Sequence, residues 1–299
     1  MNVVIRKRAL EYQGQWRCRR NASCQLASHP QTNSLRYQTP AKVGTLTLVA
    51  FLALFVLTAP SNAKTIRVMT YNIHVGVGMD KKLDLPRIAE VIKREHVDLV
   101  GLQEVDRGVE RTQRVDEIAE LARLTKMDYA FAFNLKYQGG QYGVAILSRF
   151  PIRATDHRLY QNLREAERRG LIRAEVKIGG RLVNFVTTHL DYQYDDGRVF
   201  ETEQLLKALK EVSGPLIVVG DFNDTPAGGA YKLMRDQFVD AWIESHASGE
   251  GLSYPADKPA KRIDYIFTRE KDGTKAKRAW IVTTLASDHV PVVADLEIR

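Results

Sequence analysis

The most constraining stretch of this chain is the uninterrupted apolar run from Leu216 to Val219, which is followed by Gly220 and then by Asp221 and Asn223. A short apolar run bounded by turn residues is typical of a strand that is buried on both faces. Polar groups at the end of such a strand are held rigidly, as catalysis requires. An ordinary strand followed by an Asp/Asn turn would have the same sequence pattern. The ends of the other predicted strands must therefore distinguish a functional site from a simple turn.

Other apolar segments of the chain also stop at polar residues. Besides Asp221 and Asn223, these residues are Asn72, His74, Glu104, His189, Asp191, Asp264, Asp288 and His289. Carboxylate oxygens without cysteine favour Mg²⁺ or Mn²⁺ over zinc. Such a site suits phosphoryl chemistry, in which a cation neutralises developing charge and a carboxylate or histidine handles the proton of water. Each residue alone has an ordinary structural explanation.

The remaining pattern interleaves helices with strands and hairpins. Spacing of apolar residues predicts helices over 83–96, 116–125, 198–212 and 227–236, and a loop over 105–114. Strands are predicted at 66–71, 97–102, 128–135, 142–149, 152–160, 171–178, 182–190, 216–221, 263–268, 277–284 and 290–297, with hairpin turns at 139–140 and 179–180. This order favours a two-sheet α/β core with helices on its outer faces.

The basic charge of the chain is concentrated near its start. The whole sequence carries a net charge of +8, but residues 1–63 contain eight basic residues and one acid. That leaves 36 basic and 35 acidic residues, a net charge of +1, for residues 64–299. The second segment therefore has no strong attraction for polyanions such as nucleic acids.

Residues 1–63 are interpreted as a leader. No charged residue occurs from Val43 to Ala63, and the apolar core spans 46–57. Small residues before Lys64 predict signal-peptide cleavage after Ala63 and export to the periplasm or medium, whereas an uncleaved segment would be a membrane anchor. Both cysteines, Cys18 and Cys24, lie in this leader, so the exported chain would carry no disulfide. Residues 64–299 are long enough for one domain with its own core.

Seven short motifs then occur in a fixed order along the chain. They are TYNIH at 70–74, LQEVD at 102–106, YGVAILSR at 142–149, THLD at 188–191, GDFN at 220–223, RIDYIF at 262–267 and SDHVPV at 287–292. This series resembles the endonuclease/exonuclease/phosphatase superfamily, which includes deoxyribonuclease I, abasic-site endonucleases, bacterial sphingomyelinases and inositol-polyphosphate 5-phosphatases. The resemblance covers essentially all of residues 66–298.

The resemblance implies a deoxyribonuclease I-like fold, a four-layer α/β sandwich of two packed mixed β-sheets flanked by helices. It also implies a role for each matching residue, with Mg²⁺, or Mn²⁺, as the cofactor. Glu104 would be the principal metal ligand, with Asn72 beside it on the metal and the phosphate, and Asp288 would be a further ligand. His189 would contact the phosphate, Asp221 and Asn223 would orient and deprotonate the attacking water, and Asp264 would orient His289. Either Asp221 or the Asp264–His289 pair would be the base.

The chain departs from the family pattern at His74, where the abasic-site enzymes have an aspartate. This difference puts a second metal in doubt, and His74 is expected to touch the substrate or to pack. Arg149 and Arg169 are candidates for a phosphate contact or for solvated arginines.

The expected substrate is a small or lipid-linked phosphodiester, such as a phospholipid or glycolipid head group. The near-zero charge of residues 64–299 and the predicted export do not favour a dedicated DNA enzyme. The motifs around residues 71–89 resemble bacterial exported members and, distantly, the lumenal domain of eukaryotic GPI-anchor lipid remodelling proteins. The alternatives are a secreted DNA or RNA nuclease that uses the same site and a non-catalytic binding module. No long amphipathic or exposed apolar segment indicates oligomerisation, so a monomer is expected.

Overall fold

A computed structural model describes residues 63–299 of the chain. The predicted leader, with its apolar core and both cysteines, lies outside the described residues apart from Ala63. Between residues 63 and 299, none of the helices combines the length and the apolar character needed to cross a bilayer.

The described residues form two six-stranded sheets. The strands are β1 (Lys64–Asn72), β2 (Leu99–Arg107), β3 (Asp128–Tyr137), β4 (Gly140–Ser148), β5 (Ile152–Leu159), β6 (Gly170–Ile178), β7 (Arg181–His189), β8 (Leu216–Asp221), β9 (Val239–Asp240), β10 (Asp264–Thr268), β11 (Thr274–Ile281) and β12 (Val292–Ile298). The α-helices are α1 (Leu85–Arg94), α2 (Glu117–Thr125), α3 (Asp195–Leu209), α4 (Gly229–Arg235) and α5 (Ala241–Glu244). The strand order is β11-β12-β1-β2-β4-β3 in the first sheet and β5-β6-β7-β8-β10-β9 in the second.

Each sheet has a parallel pair at its centre, β1 with β2 and β7 with β8. Helix α1 connects the first pair and α3 the second, because parallel neighbours need a crossover connection. Asp84 caps the start of helix α1, because its side chain accepts a hydrogen bond from the Arg87 backbone N–H at 2.9 Å, and Pro86 lies in the first turn. The predicted strand–helix–strand unit is therefore confirmed, and in each pair both strands end at the same edge of the sheet.

Three apolar clusters separate four layers. The first cluster lies between the two sheets, the second packs α1 and α2 against the first sheet, and the third packs α3 and α4 against the second sheet. Strand β8 contributes Ile217 and Val219 to the inter-sheet cluster, and Leu216 and Val218 to the helix-side cluster. Burying each such side chain contributes about 1.5–3 kcal/mol. The predicted four-layer α/β sandwich is confirmed.

Most predicted elements are present, with shifted ends. The turn after Ile178 consists of Gly179 and Gly180, whose φ angles of +57° and +87° fit the predicted tight hairpin. Strand β2 continues to Arg107, so the prediction of a loop from 105 was wrong. A bulge between Leu102 and Val105 accommodates the polar residues Gln103 and Glu104, and the strand continues beyond it. Strand β11 begins three residues before the predicted 277.

Candidate active site

The polar residues at the strand ends meet at one edge of the two sheets. Asn72 ends β1, and His189 and Asp221 end the parallel strands β7 and β8. Strand β10 runs antiparallel to β8, which places its first residue, Asp264, directly opposite Asp221. His289 follows in the segment before β12 and lies within 3.7 Å of Asp221. The topology thus brings residues that are far apart in sequence together in one cluster.

Glu104 reaches this edge because of the bulge in β2. Its backbone φ is +56°, in the left-handed region that non-glycine residues rarely adopt. Such a conformation costs on the order of 1–3 kcal/mol and is concentrated at functional sites. The bulge directs the Glu104 side chain into the cleft, where it is half-buried.

The side chain of Asn72 connects the two sheets. Its Nδ2 donates to Glu104 Oε1 at 3.1 Å and to Asp221 Oδ2 at 3.0 Å. Its Oδ1 accepts from the backbone N–H of His74 at 3.0 Å. A carbonyl oxygen has two lone pairs, so Asn72 can orient Glu104 and Asp221 and still offer an oxygen to a cation.

The ionisation of Asp221 is strongly perturbed. Its side chain is almost fully buried and accepts a hydrogen bond from the Asn223 backbone N–H at 2.9 Å. Burial and the nearby Asp264 carboxylate raise the pKa of Asp221 to about 7, although His289 and the Asn72 hydrogen bond act in the opposite direction. A carboxylate with a pKa near neutrality is suited to accept a proton during catalysis.

His289 and Asp264 form a buried pair. The imidazole Nδ1 donates to Asp264 Oδ2 at 2.9 Å, and the Ser253 hydroxyl donates to the same oxygen at 2.6 Å. Burial alone would lower the pKa of His289, but the Asp264 and Asp221 carboxylates outweigh it and raise that pKa to about 10. His289 is therefore an imidazolium at neutral pH. Because its Nδ1 is engaged by Asp264, we interpret the close grouping of Asp221, Asp264 and His289 as a proton-handling unit.

His189 has the opposite electrostatic character. Its ring is buried, and its Nδ1 lies 2.7 Å from Nη1 of Arg169. The Asn223 amide lies 3.0 Å from Nε2, and Asp221 Oδ2 lies 3.5 Å from the same atom. Burial and the cations of Arg169 and His289 hold the pKa of His189 well below its usual range. One histidine of the site is thus charged and the other neutral.

The remaining predicted residues divide into two groups. His74 and Asp288 line the cleft, with His74 Nδ1 3.1 Å from the carbonyl of Val77 and 3.9 Å from Asp288 Oδ1. Arg149 is exposed just after β4, at the sheet edge opposite the site, and takes no part in it. Arg169 lines the cleft with only 2% of its surface exposed, so the solvated alternative for this residue was wrong.

The polar cluster at the sheet edge lies in an open cleft of about 950 Å³. Residues that motif reasoning had not assigned to the site also line it: Arg111, Tyr137, Tyr142, Glu167, Tyr192, Tyr254 and Lys261. Tyr142 belongs to one of the recognised motifs and could have been singled out from it. Ser253, which orients Asp264, lies in a segment with no recognised motif or periodicity. The cleft is large enough for a phosphoryl group with a substituent on each side.

The chemistry of the cluster fits a hard divalent cation. The carboxylates of Glu104, Asp221, Asp264 and Asp288 converge here, and His289 supplies one positive charge. Arg169 adds little net charge because its Nη1 lies 3.0 Å from Glu167 Oε1. An excess of carboxylate and amide oxygens without cysteine is the donor set that Mg²⁺ and Mn²⁺ prefer.

Comparison with known proteins gives consistent matches. The model of the "Endonuclease/Exonuclease/phosphatase family" matches residues 69–289. The Escherichia coli K12 protein YbhP, whose function is uncharacterised, is 25% identical over 248 residues, which cover 78% of this chain and 96% of YbhP. A candidate neutral sphingomyelinase from Drosophila melanogaster is 22% identical, over 68% of this chain and 51% of its own.

A solved structure supports the same architecture. The mannosyl-6-phosphatase of Bacteroides thetaiotaomicron superimposes with a TM-score of 0.65 at 18% identity, covering 77% of this chain and 99% of its own. At that identity the match concerns the fold alone.

Proposed function

The chain belongs to the endonuclease/exonuclease/phosphatase family, and we propose that it is a divalent-metal-dependent phosphodiesterase that hydrolyses a small or lipid-linked phosphodiester. Members of this family are hydrolases of phosphoester bonds and generally use divalent metals. One observation carries the proposal. A continuous set of contacts links Glu104, Asn72, Asp221, His289 and Asp264 across both sheets, at the floor of an open cleft.

Glu104, Asn72 and Asp288 would hold the cation, which on this proposal is Mg²⁺ or Mn²⁺. When bound, the cation would neutralise charge that develops on the phosphoryl oxygens. The protein residues would do the rest of the chemistry. The oxygen of water would form a bond to phosphorus as the opposite P–O ester bond breaks, the leaving alcohol oxygen would take the bonding electron pair, and the water proton would pass to a basic side chain.

The ionisation states favour Asp221 as that base. With a pKa of about 10, His289 already carries its proton at neutral pH and cannot accept another. With a pKa of about 7, a large fraction of Asp221 is ionised at the same pH. Asn223 would orient the water beside Asp221, and the imidazolium of His289 would stabilise the phosphoryl oxygens. Asp264 would keep His289 charged and oriented.

The substrate class is inferred from charge, from the lining of the cleft and from the similar proteins. The near-neutral charge of residues 64–299 does not favour long polyanions. Exposed tyrosines at 137 and 192 line the cleft beside the catalytic cluster, and the named relatives include a candidate sphingomyelinase and a sugar phosphatase. We favour a diester with a small or lipid-linked substituent over a nucleic acid. Export through the segment 46–57 and a monomeric state are further parts of the proposal.

The decisive experiment is hydrolysis of bis(p-nitrophenyl) phosphate by the purified protein with Mg²⁺ or Mn²⁺ and with EDTA. Turnover should require the metal and should be abolished in both Asp221→Asn and His289→Ala. Asp236 and His157, which are both exposed, supply matched controls, Asp236→Asn and His157→Ala, which should retain activity. Near wild-type rates of hydrolysis in both Asp221→Asn and His289→Ala would contradict the proposal.

A substrate panel then separates the alternatives. Vesicles that contain sphingomyelin or phosphatidylinositol, supercoiled plasmid and mannose 6-phosphate represent the lipid, nuclease and monoesterase classes. Plasmid nicking faster than lipid hydrolysis would favour the secreted nuclease. Metal binding without turnover of any substrate would favour a binding module.

A further inference from the structure

The contact between Arg169 and His189 has a chemical consequence beyond packing. We propose that Arg169 is a positioning residue that holds His189 as the neutral tautomer with its hydrogen on Nε2. The tautomer is a property of the folded protein by itself. Its use, as a directed uncharged donor to a phosphoryl oxygen, rests on the proposed phosphodiesterase function.

The tautomer follows from the donor inventory. A guanidinium has five N–H donors and no acceptor, and it stays protonated in proteins. At 2.7 Å from Arg169 Nη1, the Nδ1 of His189 must therefore accept. A neutral imidazole has one acceptor nitrogen and one N–H, so the hydrogen must be on Nε2.

The backbone places Arg169 where it can make this contact. Strand β6 begins at Gly170, which pairs with His189 of β7, so Arg169 lies beside His189 at the edge of the sheet. A side chain at Gly170 would not fit, since a Cβ there would lie 2.5 Å from the carbonyl of Arg158. The Arg169 carbonyl accepts from the Tyr160 N–H at 2.9 Å, which fixes the chain at this point.

Other contacts restrain the guanidinium. Its Nη1 lies 3.0 Å from Glu167 Oε1, and its Cζ lies 5.9 Å from the centre of the Tyr192 ring. Only 2% of the Arg169 surface is exposed, so the guanidinium has little contact with bulk water. The guanidinium is thus pre-oriented toward Nδ1 before any substrate arrives.

The Nε2–H then faces the reacting side of the site. Its polar neighbours are Asp221 Oδ2 at 3.5 Å and the Asn223 amide at 3.0 Å. The Asn223 atom nearest the ring is Nδ2, which also donates to the Leu190 carbonyl at 3.1 Å. With hydrogen on Nε2, this Nδ2 cannot donate to the ring, so on this proposal the amide rotates or moves aside and the Nε2–H bonds to the Asn223 oxygen, to Asp221 or to a phosphoryl oxygen. The low pKa of His189 agrees with a ring that stays uncharged beside the His289 cation. His289 would then supply positive charge to the site, and His189 would supply an uncharged hydrogen-bond donor.

The test is a two-bond ¹H–¹⁵N correlation spectrum of the full protein labelled in its histidines, recorded with EDTA and again with Mg²⁺. The spectrum distinguishes the two neutral tautomers and the imidazolium. His189→Gln identifies the resonance by its loss. In the wild type we expect one neutral ring with hydrogen on Nε2 from pH 6 to 9. A hydrogen on Nδ1, or a cationic His189 at pH 7, would overturn the proposal.

Two variants test the part played by Arg169. In Arg169→Met, His189 should lose the single tautomer and protonate closer to the ordinary pKa of about 6.5. Arg169→Lys, which keeps a charged donor, should restore the Nε2–H tautomer at least partly. Arg168→Met changes an exposed neighbour and should leave the spectrum unaltered. An unchanged tautomer and pKa of His189 in a folded Arg169→Met would also contradict the proposal.

The activity readout is separate from the spectrum. If the phosphodiesterase function holds, Arg169→Met should lower kcat more than it raises KM, and the pKa of His189 should rise from its wild-type value, since one of the two nearby cations is gone. If no substrate is ever turned over, the spectrum still decides the tautomer. Failure of the enzymatic proposal and failure of this one are therefore distinguishable.

Discussion

His289 donates from Nδ1 to Asp264 Oδ2 across 2.9 Å, although 25 residues separate the two in the chain. We expect Asp264→Asn to keep the shape of the site but to remove the charge that holds His289 protonated. The rate of phosphodiester hydrolysis should fall about 10²–10⁴-fold, the usual contribution of a positioned acid–base group. Steady-state kinetics with bis(p-nitrophenyl) phosphate measures the loss, with Asp236→Asn as the exposed control. Equal rates in the two variants would contradict the role given to Asp264.

The rate should rise with pH through about 7, because burial and Asp264 raise the pKa of Asp221 to that value. A base works only when deprotonated, so kcat/KM should fall about tenfold per pH unit below this pKa. A plateau should follow until His289 loses its proton near pH 10. In Asp264→Asn the like charge beside Asp221 is gone, and the acidic limb should move to lower pH. A flat profile between pH 5 and 9 would exclude Asp221 as the base.

Glu104→Gln should weaken binding of Mn²⁺ by about tenfold or more, because ligand charge sets the affinity of oxygen sites for divalent cations. Titration of the protein with Mn²⁺, followed by electron paramagnetic resonance, reports the free ion directly. The matched control is Glu165→Gln, which removes the same charge from an exposed position outside the cleft lining. If both variants bind Mn²⁺ as the wild type does, Glu104 is not a ligand.

Gly101→Ala should destabilise the fold, because this glycine of the first sheet lies directly against side chains of the second sheet. An added Cβ would lie 2.4 Å from Val219 Cγ2 and 2.7 Å from Thr187 Oγ1. Overpacking of this kind costs about 1–3 kcal/mol in the free energy of unfolding, measurable by urea denaturation.

A double-mutant cycle tests that explanation for Gly101. Shortening Val219 to alanine removes one of the two clashing groups, so Gly101→Ala should cost less in the Val219→Ala background. If the cost is the same in both backgrounds, contact with Val219 is not its cause.

Much of the site could be predicted because its residues follow strongly patterned strands. Asn72, His189 and Asp221 each end a strand that apolar periodicity identifies, and parallel strands bring their ends to one edge. The resemblance of the motifs then supplied roles that spacing alone could not. The end of β2 was harder to predict, because the bulge at Glu104 places a polar residue inside a strand that continues to Arg107.

The sequence by itself determined the layers, the central strands and the set of ionisable groups, since these depend on local periodicity and residue type. Only the tertiary structure determined which of these side chains contact one another. Asn72 contacts Asp221 across 149 positions, Ser253 orients Asp264 from an unpatterned segment, and Arg169 meets His189 through strand register. The surroundings that result leave His289 protonated and His189 uncharged at neutral pH. Ionisation depends on burial and on charges a few ångströms away, and the distances between groups from different strands exist only once the two sheets have packed.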